Sequence, residues 1–174
     1  MQRVVILGCS GTGKSTLARK VGTRLNLPVI HLDSLFWEAN WTESDLDVFR
    51  AKVKAALASG RWVTDGNYVT KTADLRYAQA DAILWLDQPV WLRILRILRR
   101  TVIGLGRTRA DMAQGCVERI DLNFFVFLKW TRDFDHETRP RIQAALSERF
   151  AEKAVTHLRG DAEIAAWLAR LPSP

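Results

Sequence analysis

The sequence predicts an α/β fold in which one parallel sheet of about five strands is covered by helices on both faces. Short β-branched apolar runs alternate with longer segments of helical spacing along the chain, and this alternation is typical of a parallel sheet buried between helices. A glycine or an aspartate also follows the carboxyl end of most predicted strands. In open α/β sheets that edge binds ligands, so the same pattern predicts where a site lies.

Five strands are predicted from apolar runs that stop at a turn or cap residue. The first stops at Gly8, the second at Asp33, the third at Asp65 and the fourth at Asp87. The predicted strands cover residues 3–7, 29–32, 61–64, 82–86 and 154–157. Each crossover between parallel neighbours is expected to be right-handed.

Five helices are predicted from apolar spacing and from their start and stop signals. Asn26 and Pro28 end the first, a variant capping box at residues 42–45 starts the second, and Pro140 opens the fourth. The predicted helices cover residues 15–25, 42–60, 90–102, 140–151 and 161–171. The chain of 174 residues is expected to form one domain, 1–174.

Composition limits the class of protein. The chain is 48% hydrophobic and 26% charged, as in ordinary globular domains, and no apolar run reaches the roughly 20 residues that a membrane helix needs. Residues 4–7 run directly into glycines, so no signal peptide is expected. Cys9 and Cys116 are too few for a disulfide framework or a metal cluster. We therefore expect a cytoplasmic protein without a membrane partner.

The net charge of +7 is concentrated in one segment. Residues 90–120 contain seven arginines, and their only acidic residues are Asp111 and Glu118. A basic balance of this kind indicates an anionic partner, although it also serves solubility.

The segment after the first predicted strand matches the phosphate-loop pattern Gly-x-x-x-x-Gly-Lys-Ser. Glycines let backbone N–H groups turn inward around an anion, and the following helix directs its positive end at the same phosphates. Lys14 is predicted to bridge the β- and γ-phosphates during catalysis, and the Ser15 hydroxyl to bind Mg²⁺. The predicted nucleotide-binding residues here are Gly8, Cys9, Ser10, Gly11, Thr12, Gly13, Lys14, Ser15 and Thr16.

This motif predicts that ATP and Mg²⁺ bind. The alternative is a glycine-rich turn without function, which the flanking strand and helix disfavour. The spacing also differs from Gly-x-Gly-x-x-Gly, so a Rossmann dehydrogenase is disfavoured.

A phosphate-loop site also needs a carboxylate beside the metal. Asp65, which ends an apolar strand before Gly66, is the predicted metal residue, although Asp-Gly-Asn is also good turn chemistry. Asp33 either caps the following helix or accepts the proton of an acceptor hydroxyl. We predict the catalytic role for Asp33, and a turn or cap role for Asp87.

Phosphoryl transfer spreads negative charge that guanidinium groups stabilise, often from a lid. Arg107 and Arg109 lie in a glycine-containing loop and are predicted to be catalytic lid residues. The spacing of Arg93, Arg96 and Arg100 places them on one helix face. This face either binds a phosphate or is simply exposed to solvent. Of the three, Arg100 is predicted to contact the nucleotide.

Aromatic and histidine residues give weaker signals. Trp37 and Trp41 follow Asp33 and either line an acceptor pocket or pack in the core. His31 and His157 lie within predicted strands, and we expect both to be hydrogen-bonded core residues.

These motifs together resemble the bacterial topology modulation proteins, a family in the adenylate-kinase-like branch of P-loop kinases. The resemblance extends over most of the chain, from about residue 3 to residue 171. It rests on the phosphate loop, the arginine-rich helix and the elements His31-Leu32-Asp33, Trp37, Trp41 and Trp62-Val63-Thr64-Asp65-Gly66-Asn67-Tyr68.

The resemblance implies a three-layer α/β/α fold with strand order 2-3-1-4-5, which would place Asp65 beside the phosphate-loop strand. It also implies an acceptor-side segment at residues 33–58, a helical lid at residues 90–134, and a place near the nucleotide base for Arg159. One departure is notable, because kinases of nucleoside monophosphates usually have Asp-Gly-Phe-Pro-Arg where this chain has Asp65-Gly66-Asn67-Tyr68-Val69.

The sequence therefore predicts an ATP- and Mg²⁺-dependent phosphotransferase that acts on an unidentified small-molecule acceptor. The alternative is a nucleotide-binding regulatory protein or ATPase with little or no kinase activity, for which the family name suggests an association with DNA. The arginines fit both, since they could meet a γ-phosphate or a DNA backbone. No helix-turn-helix or other DNA-reading motif is evident, so the enzyme is favoured.

Overall fold

The computed structural model describes residues 1–172. The strands are β1 (Arg3–Gly8), β2 (Val29–His31), β3 (Trp37–Glu38), β4 (Thr42–Glu43), β5 (Trp62–Asp65), β6 (Ala82–Asp87) and β7 (Val155–Arg159). The α-helices are α1 (Lys14–Leu25), α2 (Leu32–Phe36), α3 (Leu46–Leu57), α4 (Val69–Arg76), α5 (Val90–Ile103), α6 (Leu122–Arg149) and α7 (Gly160–Ala169). A 3₁₀ turn, Ala39–Trp41, lies between β3 and β4.

One parallel sheet of five strands has the order β2-β5-β1-β6-β7. Counted within this sheet alone, the order is 2-3-1-4-5, so the predicted fold class and strand order are confirmed. β1 lies at the centre and pairs with β5 and β6. The phosphate loop, Asp65 and Asp87 consequently end neighbouring strands at one edge of the sheet. β3 and β4 form a separate antiparallel pair.

The central strand is buried on both faces because helices cover both. In β1, Val5 and Leu7 join one core cluster, and Val4 and Ile6 join the other. All four side chains are inaccessible to solvent. This explains why β1 is apolar throughout rather than alternating with polar residues.

The prediction that Pro140 opens a helix is wrong. α6 runs without interruption from Leu122 to Arg149 and contains Pro140 in its interior. An internal proline removes a helix hydrogen bond and costs about 3 kcal/mol. Phe134 and Ile142, on either side of it, are both buried in the same core cluster, and their packing offsets that cost.

The start of the second predicted helix is also different. Thr42 belongs to β4, and α3 begins only at Leu46. Asp45 is its cap, since one carboxylate oxygen accepts hydrogen bonds from the backbone N–H groups of Asp47 at 2.8 Å and Val48 at 3.2 Å. Helix α4 was not predicted, because its apolar spacing is weak.

Within residues 1–172, no helix is both long and apolar enough to cross a bilayer.

Candidate active site

The phosphate loop connects β1 to α1 at the carboxyl edge of the sheet. Gly8, Gly11 and Gly13 have φ angles of 135°, 77° and 96°, which side-chain-bearing residues rarely adopt. A Cβ on Gly8 would lie 2.4 Å from the Leu86 carbonyl oxygen, and one on Gly11 would lie 2.5 Å from the Arg93 carbonyl oxygen. A Cβ on Gly13 would meet no atom within 4 Å. Gly8 and Gly11 therefore let the loop pack closely against neighbouring backbone. Gly13 leaves open space at the start of α1, which we call the cradle.

Lys14 lies over this loop. Its Nζ donates a 2.8 Å hydrogen bond to the Cys9 carbonyl oxygen, which also accepts a 2.8 Å hydrogen bond from the Thr12 hydroxyl. Burial lowers the pKa of the Lys14 ammonium, against the opposing effect of the Asp33 carboxylate nearby. Burial raises the pKa of the Cys9 thiol, which makes that side chain a packing group rather than a nucleophile. Ser10 and Ser15 are half-buried, and Thr16 is exposed.

Asp65 ends β5, the strand next to β1. Its side chain is only 6% exposed, and its Oδ1 lies 2.7 Å from Nδ1 of His31, at the end of β2. Burial lowers the pKa of His31, but the hydrogen bond with Asp65 and the charges of Asp65 and Asp111 together outweigh it, so this pKa is above its ordinary value. His31 is hydrogen-bonded as expected, but it lies at the candidate metal site rather than within the core.

Two further side chains hold the turn that follows Asp65. The Asn67 Oδ1 accepts a 3.1 Å hydrogen bond from the Gly8 N–H, which ties this turn to the phosphate loop. The guanidinium of Arg76 is fully buried and donates to the carbonyl oxygens of Gly66 at 3.2 Å and Asn67 at 2.7 Å. The role of Arg76 was not predicted because it belongs to the unpredicted α4, and that of Asn67 because Gly8 is far from it in the chain.

Asp33 lies in α2, beside the end of β2. Its Oδ1 accepts a 2.7 Å hydrogen bond from the Tyr68 hydroxyl. Burial and the Asp33 charge both raise the pKa of Tyr68, so the tyrosine remains a hydrogen-bond donor. The charge of Asp33 also acts on the Lys14 ammonium, so this carboxylate lies near the phosphate loop.

The two predicted lid arginines occupy different environments. Arg109 lies 2.6 Å from Glu118 and 3.4 Å from Asp111 in ion pairs within the loop of residues 104–121. Arg107 is exposed and makes no side-chain hydrogen bond or ion pair to the described residues. Only Arg109 belongs to the charged cluster around the cleft.

Arg100 and Asp111 bring α5 and the loop of residues 104–121 to the phosphate loop. Arg100 has a buried Nε without a hydrogen-bond partner among the described residues, and burial lowers its pKa. The charge of Arg100 acts on Lys14. Burial raises the pKa of Asp111, but the charge of Arg109 and the nearby Ser15 hydroxyl together hold it below its ordinary range. Asp111 was not predicted as a site residue, because it lies in a loop without a recognisable motif.

The same loop contacts the segment of residues 33–58, which was predicted to face the acceptor. The Trp41 indole donates a 2.9 Å hydrogen bond to the Val117 carbonyl oxygen, and the Asn40 N–H donates to the Gly115 carbonyl oxygen at 3.0 Å. The rings of Trp37 and Trp41 meet edge to face at 5.9 Å. Trp41 and Asn40 thus hold residues 104–121 against the segment of residues 33–58.

A groove of about 1050 Å³ extends from the phosphate loop along α1. Its polar end includes Gly13 and Thr16, its apolar side includes Ile164 of α7, and Arg96 and Asp161 form a 2.6 Å ion pair at its margin. Arg159, predicted near the nucleotide base, is exposed and does not line this groove.

The remaining charged residues at this edge are structural. Arg93 is buried and ion-paired with Asp135, and Asp87 pairs with Arg139. The three arginines predicted to share one helix face do so, but their side chains have different neighbours. Arg93 pairs with Asp135 and Arg96 pairs with Asp161, whereas Arg100 acts on Lys14.

The residues present fit a nucleotide phosphate with Mg²⁺. The cradle at Gly13 is open, and the Ser15 hydroxyl and Asp65 carboxylate supply the hard oxygen atoms that Mg²⁺ prefers. In the part of the chain that the structure describes, no three His, Cys, Asp or Glu side chains converge as a metal cage. Mg²⁺ ordinarily uses one or two protein oxygens together with substrate phosphates and water.

Solved structures of kinases share this fold. The chain resembles a shikimate kinase from Acinetobacter baumannii in complex with shikimate, with TM-score 0.57, 16% identity, and coverage of 98% of this chain and 90% of the kinase. It also resembles a gluconokinase from Sinorhizobium meliloti 1021, with TM-score 0.54, 19% identity, and coverage of 98% and 93%. No family model and no curated protein matches the sequence. At this identity the likeness shows the fold alone, which this chain shares with these kinases.

Proposed function

We propose that this protein transfers the γ-phosphoryl group of ATP, with Mg²⁺, to a hydroxyl group of a small molecule. The observation that carries the proposal is the convergence of four charged side chains at one edge of the sheet. The Lys14 ammonium lies in the electrostatic field of Asp33, Asp65 and Arg100. Cations for a phosphate, a carboxylate for a metal and a carboxylate for a proton are the parts that phosphoryl transfer requires.

The nucleotide fits the phosphate loop and the adjoining groove. Backbone N–H groups at the start of α1 and the Lys14 ammonium would hold the phosphates, and the apolar side of the groove would hold the nucleoside. Ser15 and Asp65 would hold Mg²⁺ directly or through its water, and the metal would neutralise charge on the phosphates. The hydrogen bonds of Arg76 and Asn67 hold the turn after Asp65 in place beside Gly8 of the phosphate loop.

Asp33 is the proposed base for the acceptor. Its carboxylate accepts one hydrogen bond from Tyr68 and retains oxygen lone pairs that can take a proton from a hydroxyl. The phosphoryl–oxygen bond to the leaving nucleotide would break as the bond to the acceptor oxygen forms, while the hydroxyl proton passes to Asp33. Arg100 and Arg109 would stabilise the charge on the transferred group.

The acceptor can be sought by its chemistry. The neighbours in solved structures carry the names shikimate kinase, gluconokinase and sugar kinase, so polyhydroxy acids and sugars are the first compounds to test. Val69 stands where nucleoside monophosphate kinases usually have an arginine. Nucleosides and nucleoside monophosphates therefore form a second group in the screen.

The experiment that tests the proposal is a screen of acceptor-stimulated ADP release with ATP and Mg²⁺. We expect one chemical group of hydroxyl compounds to raise the rate well above hydrolysis by water, and mass spectrometry to find the phosphorylated acceptor. Tight nucleotide binding without stimulation by any acceptor, together with salt-dependent DNA binding, would support the regulatory alternative instead.

Replacing Asp65 by asparagine should weaken nucleotide binding in a Mg²⁺-dependent way. The substitution keeps the shape of the side chain but removes the charge that holds the metal's shell, so the nucleotide Kd should rise by roughly tenfold to a hundredfold with Mg²⁺. Without Mg²⁺ it should change little. Titration calorimetry with Mg²⁺ and with EDTA measures both values.

Asp87→Asn is the matched control for Asp65→Asn, because Asp87 ends the strand on the other side of β1 and pairs with Arg139. Its effect should be the same with and without Mg²⁺. If Asp65→Asn also behaves in that way, Asp65 is a structural turn residue.

The two arginines of the loop should respond differently to alanine substitution. Arg109 belongs to the charged cluster and Arg107 does not. Loss of a positioned transition-state donor costs about a hundredfold in turnover, so Arg109→Ala should reduce kcat by that amount with little change in nucleotide Kd. Arg107→Ala should change kcat by less than about threefold, within the range of an ordinary surface substitution.

Steady-state kinetics with the best acceptor, combined with DNA affinity at two salt concentrations, separates this interpretation from the regulatory one. DNA-binding arginines would weaken association with any sequence and would reduce its salt dependence. Equal kinetic effects of the two substitutions would refute the assignment of Arg109 to the transferring phosphate.

A further inference from the structure

Helix α5 presents its apolar side to solvent. Its buried residues are Arg93, Ile97 and Thr101, two of which are polar, whereas Trp91 is 66% exposed and Val102 is 62% exposed. A surface helix of a monomer ordinarily has the opposite arrangement, with apolar residues inward and charges outward. The exposed side of α5 therefore lacks a partner within the described chain.

The exposed residues follow a helix-packing period. Trp91, Leu95, Leu98, Val102 and Leu105 are separated alternately by four and three positions, and all five are exposed. This is the spacing of the a and d positions in a coiled coil, which form a narrow seam against another helix. The spacing indicates that a helix packs on this side of α5.

The seam continues onto the neighbouring elements. Leu105 is bridged to Glu118, and the Gly106 N–H donates to the Glu118 carbonyl oxygen at 3.0 Å, so Ile120 lies beside the end of α5. From there the chain enters α6, where Leu122 is 84% exposed and Phe125 is also exposed. We call the exposed apolar side chains of residues 91–126 the lid face.

The lid face has the size of a stable interface. Of the thirteen large exposed hydrophobic side chains in the described residues, ten belong to it. Together they present on the order of 1,000 Å² of surface, against about 800 Å² per partner in a standard interface and about 300–600 Å² for the largest apolar patch on a typical monomer.

We propose that the lid face is covered by the lid face of a second copy of this chain. A two-fold interface needs only one patch that complements itself. In an antiparallel pairing of two α5 helices about an axis near Leu98, Leu95 lies opposite Val102 of the partner subunit, and Trp91 lies towards Leu105 of the partner subunit, which follows the end of α5. Larger side chains then face smaller ones on both sides of the axis, and the two Leu98 side chains meet on it, which permits close packing.

The charges around the lid face predict how dimerisation depends on salt. Arg99, Arg107, Arg119 and Lys129 are exposed on the same elements, so two copies bring like charges together around the interface. Salt screens repulsion of this kind. A salt whose anion is excluded from protein surfaces also strengthens association between apolar surfaces. The dimer should therefore become tighter as salt rises, whereas binding to an anionic membrane would become weaker.

Sedimentation velocity and light scattering on the full chain test the proposal. We expect a monomer–dimer equilibrium in the micromolar range, tighter in higher salt. Replacing Leu95 and Val102 together by aspartate buries unpaired charge at the centre of the contact, and should weaken dimerisation by at least about a hundredfold. Both side chains are exposed, so the melting temperature of the monomer should be unchanged.

Val48→Asp is the matched control, because Val48 is an exposed apolar residue on α3, outside the lid face. It should leave the dimer intact. Leu98→Cys gives a second readout that does not depend on disruption. Both native cysteines are buried, so mild oxidation should link Cys at this position to its counterpart and yield a covalent dimer.

A monomer at all concentrations and salt levels would overturn the proposal. So would a dimer that persists in the double aspartate variant without cross-linking through Leu98→Cys. If the chain instead sediments with vesicles of phosphatidylserine and phosphatidylcholine, and the double variant abolishes that binding, the lid face is a membrane-binding surface and the second copy is excluded. None of these results depends on phosphotransferase activity.

Discussion

Lys14→Ala is expected to abolish the stabilisation of this protein by ATP and Mg²⁺ while leaving the ligand-free protein almost unchanged. In the ligand-free state the ammonium makes one hydrogen bond, to the Cys9 carbonyl oxygen. Loss of such a bond costs about 1 kcal/mol. With nucleotide present, the same ammonium would contact phosphate oxygens, where no other lysine of the loop can replace it.

The measurement is a thermal melt with and without a hundredfold excess of nucleotide over the Kd of the unmodified protein. That excess stabilises the unmodified protein by about 2.7 kcal/mol, which corresponds to a shift of roughly 5–10 °C for a chain of this size. The variant should show almost none of this shift. Lys54→Ala, an exposed lysine on α3, should keep it in full. If nucleotide stabilises Lys14→Ala as strongly as the unmodified protein, the phosphate loop is misassigned.

Asp33→Asn is expected to reduce kcat by roughly 10²–10⁴-fold, the usual contribution of a positioned general base. Asparagine keeps the size of the side chain and its hydrogen bond from Tyr68, but it cannot take up the proton of the acceptor hydroxyl. Nucleotide Kd should change little, because this carboxylate is proposed to act on the acceptor. Steady-state kinetics with the best acceptor and nucleotide titrations provide the two quantities.

Tyr68→Phe is the informative companion to Asp33→Asn. It removes the 2.7 Å hydrogen bond to Asp33 but leaves the carboxylate, so we expect a smaller loss of kcat, of about tenfold or less. Should Asp33→Asn and Tyr68→Phe have equal effects, Asp33 acts by holding Tyr68, and the base must be sought elsewhere.

Much of the fold follows from local patterns. The three inner strands of the sheet, β1, β5 and β6, are short, largely apolar runs that end at a glycine or an aspartate, and burial between two helical layers leaves such a run few alternatives. The phosphate loop is equally local, because its glycines, lysine and serine act within one turn of chain. The resemblance to a known family supplied the strand order, which the structure confirms. The roles of the site residues remain predictions.

Where the prediction was incomplete, nonlocal packing decided the structure. Pro140 resembles a helix start in sequence, yet the buried Phe134 and Ile142 on either side of it keep α6 continuous. Arg76 has no distinctive sequence context, and its role depends on the distant turn at Gly66 and Asn67. Contacts between residues far apart in the chain carry no periodic signal, so a window of sequence cannot show them.

The arginines and the lid face show most clearly where sequence information ends. Arg107 and Arg109 are two positions apart in the same loop, but only the Arg109 side chain forms ion pairs with Glu118 and Asp111. The apolar spacing of α5 predicted a helix correctly, but not the direction of its apolar side, which faces away from the core. Periodicity determines that an apolar stripe exists. Whether it packs on its own chain or on another molecule is decided by the orientation of the whole helix, which is fixed by tertiary contacts such as that between Arg93 and Asp135.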